Sequence, residues 1–211
     1  MPMTRSNSFA PGQSAPRNCV LNHSPRVWQY PTAIIGILAF LCVSVSHAQQ
    51  SRPNEYEVKA AYLFNFGRFV KWPTTAAPDK SGSFAVCVLG QDPFGTILDS
   101  TLAGEALDGK RVTTRRISKP QDASACRILF ISSAEKNHLK EILSALDEDG
   151  VLTVSDMPDF SQRGGMIEFV MDGDRVRFEI NLANAENARL TLSSELLKVA
   201  VAVRKNVPRG D

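Results

Sequence analysis

The chain has 211 residues, 24 basic and 22 acidic, and 43% of it is hydrophobic, enough to bury one sizeable core. Its formal charge of +2 owes three units to Arg5, Arg17 and Arg26; without them 24 basic residues fall to 21 against 22 acidic ones, a net charge of −1. No basic excess remains for a nucleic-acid surface, so nucleic acid is excluded as a partner class.

The first 48 residues do not read as a domain. Ile34–Val45 is a compact apolar stretch, well short of the ~20 residues a spanning helix needs. It runs into Ser46-His47-Ala48, whose small residues suit an export cleavage site. The reading is a cleavable signal peptide over 1–48, cut after Ala48, and a periplasmic mature chain. A later translation start and an uncleaved anchor are the alternatives. Residues 49–54 then form a short linker and 55–206 a single domain.

Glu55–Trp72 carries Val58, Ala61, Tyr62, Asn65, Phe66, Phe69 and Val70 at helical spacing, and Pro73 stops the run. Thr74–Gly82 is a polar loop. Phe84–Leu89 is continuously apolar, as in a strand covered on both faces. Asp92 as N-cap and Pro93 at the first position predict a short helix with Phe94, Ile97, Leu98 and Leu102. Gly104–Asp108 reads as a loop, Arg111–Ile117 as an edge strand and Ile128–Ser132 as a short apolar strand. Ser133 opens a helix over Ala134–Asp147, and Val151–Ser155 is a further strand.

Gly164–Asn181 alternates with period two on either side of Asp172-Gly173-Asp174, the pattern of an antiparallel hairpin with a more central and then a more exposed arm. Leu182–Arg189 is a short helix. Ser193 starts the last one, with Leu196, Leu197, Ala200, Val201 and Val203 on its buried face. Strand and helix alternating at this rhythm require crossover connections. The expected fold is α/β: a three-layer sandwich with a mostly parallel central sheet, an antiparallel hairpin and helices on both faces.

No catalytic or metal constellation assembles. Gly104–Lys110 nearly matches a phosphate loop, but Arg111 replaces the Mg²⁺-binding hydroxyl and the segment runs from helix to strand. Asp172 and Asp174 could open a calcium loop, yet Val176 and Arg177 sit where oxygen ligands belong. After the leader one histidine remains, His138, too few for a triad or a histidine metal site. Ser193 and Ser194 are capping residues. Glu168 and Glu179 lie inside strands, and an ion pair of Glu179 with Arg175 and Arg177 outweighs catalytic carboxylates. No cofactor is implied. Cys19 and Cys42 fall in the leader; Cys87 and Cys126, an even pair in an exported chain, are read as a disulfide, with a redox-active pair the weaker alternative for want of C-x-x-C spacing.

Lys59–Pro73, Gly150–Asp156, Phe160 with Gly164–Ile167, and Phe178–Asn181 followed by Leu196-Leu197 resemble the YfiR family over about residues 55–203. The resemblance implies a periplasmic α/β regulator that is not an enzyme. It also implies a Cys87–Cys126 bridge, a homodimer, and repression of a membrane-bound diguanylate cyclase through its periplasmic sensor domain, with effects on cyclic-di-GMP and biofilm formation. A sensor kinase is the other kind of membrane partner. Tyr62, Phe66 and Trp72 of the first helix are the candidate partner-binding residues, together with the exposed hairpin arm. The alternative function is a periplasmic small-ligand sensor with its pocket near Gly90–Phe94.

Overall fold

Helix α1, Glu55–Phe69, begins where local chemistry satisfies its free N–H groups. Asn54 Oδ1 accepts from the Tyr56 N–H at 3.1 Å, and Glu57 Oε2 accepts from the Asn54 N–H at 2.9 Å. The helix ends at Phe69, short of the expected Trp72. Val70 turns extended (φ −110°, ψ 138°), and Val70–Lys71 (β1) pairs antiparallel with Thr191–Leu192 (β9). A β-branched residue and the approach of Pro73 both favour extended backbone there.

The computed structural model describes residues 54–73, 82–146 and 150–205, all within one compact unit, Ser51–Asp211. The expected leader lies outside the described residues. The main sheet contains, in chain order, β2 (Phe84–Leu89), β3 (Ala106–Leu107), β4 (Lys110–Ile117), β5 (Ile128–Ile131), β6 (Leu152–Ser155), β7 (Ile167–Asp172), β8 (Arg175–Asn181) and β10 (Ala202–Arg204). Their spatial order is β10-β8-β7-β6-β5-β2-β4-β3. The β3/β4 and β7/β8 pairs are antiparallel and the rest parallel. Among the described residues the other helices are α2 (Thr96–Leu102), α3 (Leu139–Ser144), α4 (Leu182–Asn187) and α5 (Ser194–Val199). This is the expected α/β sandwich, mostly parallel, with an antiparallel hairpin.

Alternation along the strands builds two cores. Val86, Val88, Phe130, Val154, Ile167, Phe169 and Phe178 pack with Ala60, Leu63 and Phe66 of α1 and with Leu98 and Leu102 of α2. On the opposite face Ala85, Cys87, Leu89, Leu129 and Ile131 meet Leu139, Ile142 and Leu146, along with Met157 and Phe160. Cys87 and Cys126 are disulfide-bonded, with Cα atoms 5.9 Å apart, tying β2 to the end of the 3-10 turn Pro120–Ala125.

Several boundaries move for identifiable reasons. The helix expected at Pro93 starts at Thr96, because Asp92 Oδ1 takes the Phe94 N–H at 2.8 Å in a local turn and Gly95 has φ +55°. The Gly104–Asp108 loop contains β3, which folds onto β4 through Asp108 (φ 49°) and Gly109 (φ 76°), a left-handed two-residue turn. The helix expected over Ala134–Asp147 splits into a 3-10 turn at Ser133–Glu135 and α3; Asp147 lies outside the described residues. At the C-terminal end Ala200 turns extended and Ala202–Arg204 joins the sheet parallel to β8. Val201 and Val203 therefore do not belong to a buried helix face; Val201 is 43% exposed. The second hairpin arm, β8, has β10 along its outer edge.

A cleft and a groove beside the first helix

The carboxyl ends of β5, β6 and β7 open onto the start of α1, the place where open α/β sheets present ligand crevices. A cleft of about 460 Å³ lies there, bounded by Ser133, Asp156, Phe169 and Met171 and by Glu55 and Lys59 of α1. Lys59 is almost wholly buried, with its Nζ 2.7 Å from Asp156 Oδ2 and 2.5 Å from Glu55 Oε1. The ammonium also sits over the Tyr56 ring, 4.5 Å from its centre, and Tyr56 Oη donates to Asp156 Oδ2 at 3.0 Å. Two carboxylates and an aromatic face thus offset the desolvation of one cation. Burial, then the adjacent Asp156 charge, pushes the Tyr56 pKa up to about 12.

A groove of about 970 Å³ adjoins this cleft, sharing Glu55 and Met171 with it. Its apolar lining is Val58 and Tyr62 of α1, Met171 and Val176 of the hairpin, and Val199 of α5. Arg175, Arg177 and Lys198 supply positive charge, Glu55 and Asp174 negative. Met171 is 51% and Val199 54% exposed, although both are large apolar side chains. The groove brings together the two surfaces singled out in the sequence, the aromatic first helix and the hairpin.

The three candidate helix residues have different fates. Tyr62 is half-buried, lines the groove and reaches the Val176 carbonyl at 3.5 Å. Phe66 is fully buried between Phe169 and Phe178, ring centres 5.9 and 5.2 Å away, and offers a partner no surface. Trp72 lies away from the groove lining, edge-on to Phe84 at 5.2 Å. Phe66 and Tyr62 are nearly indistinguishable by spacing, since both fall on the apolar stripe. Met171 and Val199 gave no functional signal, because an apolar residue in a strand or helix is read as core.

Near Gly90–Phe94 the side chains pair with one another, and a cavity of about 260 Å³ lies beside them, lined by Leu89, Ser118 and Glu135. Arg116 donates to Asp92 at 2.9 Å, to Asp99 at 2.6 Å and to the Gly95 carbonyl at 2.7 Å. The hydrogen bond from Arg116, aided by one from Thr114, holds the Asp99 carboxyl below its ordinary range. Phe94 is buried edge-on against Phe130, and Glu135 closes over Gly90.

Glu168 and Glu179 stand directly opposite each other in the β7/β8 register, yet Glu179 does not use the expected Arg175 and Arg177. Glu179 pairs with Arg204 of β10 at 2.9 Å, while Arg177 donates to the Val199 carbonyl. Glu168 is buried and accepts from the Asp159 N–H, the Ser161 N–H and the Ser161 hydroxyl at 2.8–2.9 Å. Ser161 is fully buried, whereas Glu168 borders the cleft and the Glu179 side chain is partly exposed. Together they form a clasp that holds the 158–161 turn and β10 to the hairpin.

Fold and site together define a class: a three-layer α/β domain with a charged cleft and a partly apolar groove beside its first helix. The chain belongs to the YfiR/HmsC-like family (DUF4154), whose profile matches residues 56–201. That membership supports a regulatory role in general. Among solved structures the chain is similar to a conserved domain protein from Vibrio cholerae O1 biovar El Tor, with 10% identity and a TM-score of 0.51 over 71% of this chain. It spans 60% of that protein's length, and the likeness is one of fold. A weaker likeness, TM-score 0.44 and 12% identity over 59% of this chain and 56% of the other, is to an ABC domain in complex with L-Trp from Streptococcus pneumoniae.

Proposed function

We propose that this chain is a periplasmic regulatory protein, exported by its N-terminal leader, that represses a membrane-bound signalling partner without catalysing a reaction. The partner fitting the family best is the periplasmic sensor domain of a diguanylate cyclase, which would place the protein in cyclic-di-GMP control of biofilm formation. The chain would act as a homodimer. The observation that carries the reading is the groove: Met171 and Val199 are exposed beside Tyr62, with Arg175, Arg177 and Lys198 at hand. An apolar centre with an aromatic residue and arginines around it is the anatomy of a protein interface. Repression then follows if the groove binds the inactive sensor better than the active one.

The test is a pull-down from native envelope with the exported protein and with a Met171→Asp, Val199→Asp form, read by mass spectrometry. A membrane cyclase or sensor kinase recovered by the first and lost by the second is the expected result. Recovery of no membrane protein by either form would refute repression through direct contact. Analytical ultracentrifugation of the mature chain tests the dimer.

A further inference from the structure

A separate cavity of about 230 Å³ lies between α3 and α4, against the first half of β6 and the loop that leads into β7. Its apolar lining is Leu143, Leu146, Met166 and Ala188, the last three buried. Its charged lining is Lys140 and Arg163, both exposed, and no carboxylate lines it among the described residues. The Arg163 guanidinium donates to the Lys136 carbonyl at 2.9 Å and contacts Met157 Sδ at 3.3 Å, so both of its partners are neutral. Lys140 takes part in no ion pair among the described residues.

A third group points the same way. Thr153 Oγ1, on a residue 2% exposed, accepts from the Met166 N–H at 3.2 Å. Thr153 lines the cavity, and the bond from Met166 uses its oxygen as acceptor and leaves its O–H proton to donate there. A buried donor without a protein acceptor is costly, and two cations lining a cavity that has no carboxylate among the described residues repel. One ligand oxygen anion would relieve both. The lining is mixed, with Ser144, Asn184 and Asn187 beside the apolar side chains, which suits a ligand that joins a polar head to a short hydrocarbon part.

We infer that this cavity binds a small organic carboxylate. Its carboxyl group takes up the positive charge of Lys140 and Arg163 and the Thr153 hydroxyl proton, and its tail covers Leu143, Leu146 and Met166. The inference is independent of the partner groove, and substitutions at Met171 and Val199 leave it untouched.

Isothermal titration of the mature protein with hexanoate, hexanol and inorganic phosphate in parallel tests it. Saturable hexanoate binding is expected, with hexanol and phosphate each weaker by roughly tenfold or more, the equivalent of 1.4 kcal/mol. Lys140→Gln with Arg163→Gln should bring hexanoate down to the level of hexanol, and Lys140→Arg should retain binding. Thr153→Val should weaken it with the circular dichroism unchanged. The inference is overturned if no ligand binds saturably, if hexanol or phosphate binds as tightly as hexanoate, or if the double variant binds hexanoate like the unaltered protein.

Discussion

Reduction of the Cys87–Cys126 bridge should cost about as much stability as a small domain can spare. The two residues are 39 positions apart, and the chain-entropy relation for a loop of that length gives about 13 cal/mol/K, or about 4 kcal/mol at 25 °C. For a domain of this size that corresponds to a fall in Tm of roughly 8–16 °C. Reduced protein isolates the cross-link, because both sulfur atoms stay in the core between β2 and the 3-10 turn. Urea titrations of oxidised and reduced protein should therefore differ mainly in midpoint, with a somewhat larger m for the reduced form, whose unfolded chain is less compact.

Burial adds a kinetic expectation. Cys87 is 0% and Cys126 3% exposed, so a thiol reagent reaches the bond only after the 3-10 turn opens. Reduction under native conditions should be slow and should accelerate with sub-denaturing urea. Oxidised and reduced forms differing by less than about 1 kcal/mol would refute the entropic account. Rapid reduction of the native protein would refute the burial argument and make the bond a candidate switch.

Three further outcomes follow from local geometry. Asp156→Asn leaves the buried Lys59 ammonium with only the half-exposed Glu55 as counter-charge and should cost about 3 kcal/mol by chemical denaturation, whereas Lys59→Met should cost less. Tyr56 should titrate near pH 12 and not 10.0 in a spectrophotometric titration, and Asp156→Asn should bring it down. Because that shift favours the neutral phenol in the folded state, its contribution to stability is intact below pH 10 and is lost as pH rises through the folded value; Tyr56→Phe should flatten this decline. Gly165→Ala would drive a Cβ into the Phe160 ring and should cost about 2–3 kcal/mol, and a cost near zero would show that the ring can swing aside.

What the sequence disclosed, and what it withheld, has a physical pattern. Strands covered on both faces announce themselves: Phe84–Leu89 has no polar residue and proved wholly buried. The hairpin was equally legible, since period-two alternation and a glycine turn are local properties. Pairings between distant segments left no local trace. Nothing in Val70-Lys71 or Ala202–Arg204 reveals that each pairs with a strand far along the chain. The partner of Glu179 was misread for the same reason. Arg175 and Arg177 are close in sequence, but Arg204 is brought to the carboxylate by β10, a strand that helical spacing had concealed. The cleft escaped notice too, because Lys59 and Asp156 meet only when α1 crosses the end of β6.

The size of the proposed coupling gives the groove a quantitative test. Turning a sensor from almost fully active to almost fully inactive requires a preference of about 10⁴-fold between its two forms, or about 5.5 kcal/mol. Two apolar anchors at the centre of an interface supply about 2 kcal/mol each when they act as hot spots, so Met171 and Val199 would carry most of that preference and the charged residues the remainder. Each residue is already half-exposed in the free domain, so replacing it by aspartate should change the folding free energy by less than about 0.5 kcal/mol. The double substitution should therefore raise the cellular level of cyclic-di-GMP to that of a strain lacking the protein, while its thermal midpoint stays put. An unchanged cyclic-di-GMP level with the variant correctly exported would move the contact surface away from this groove.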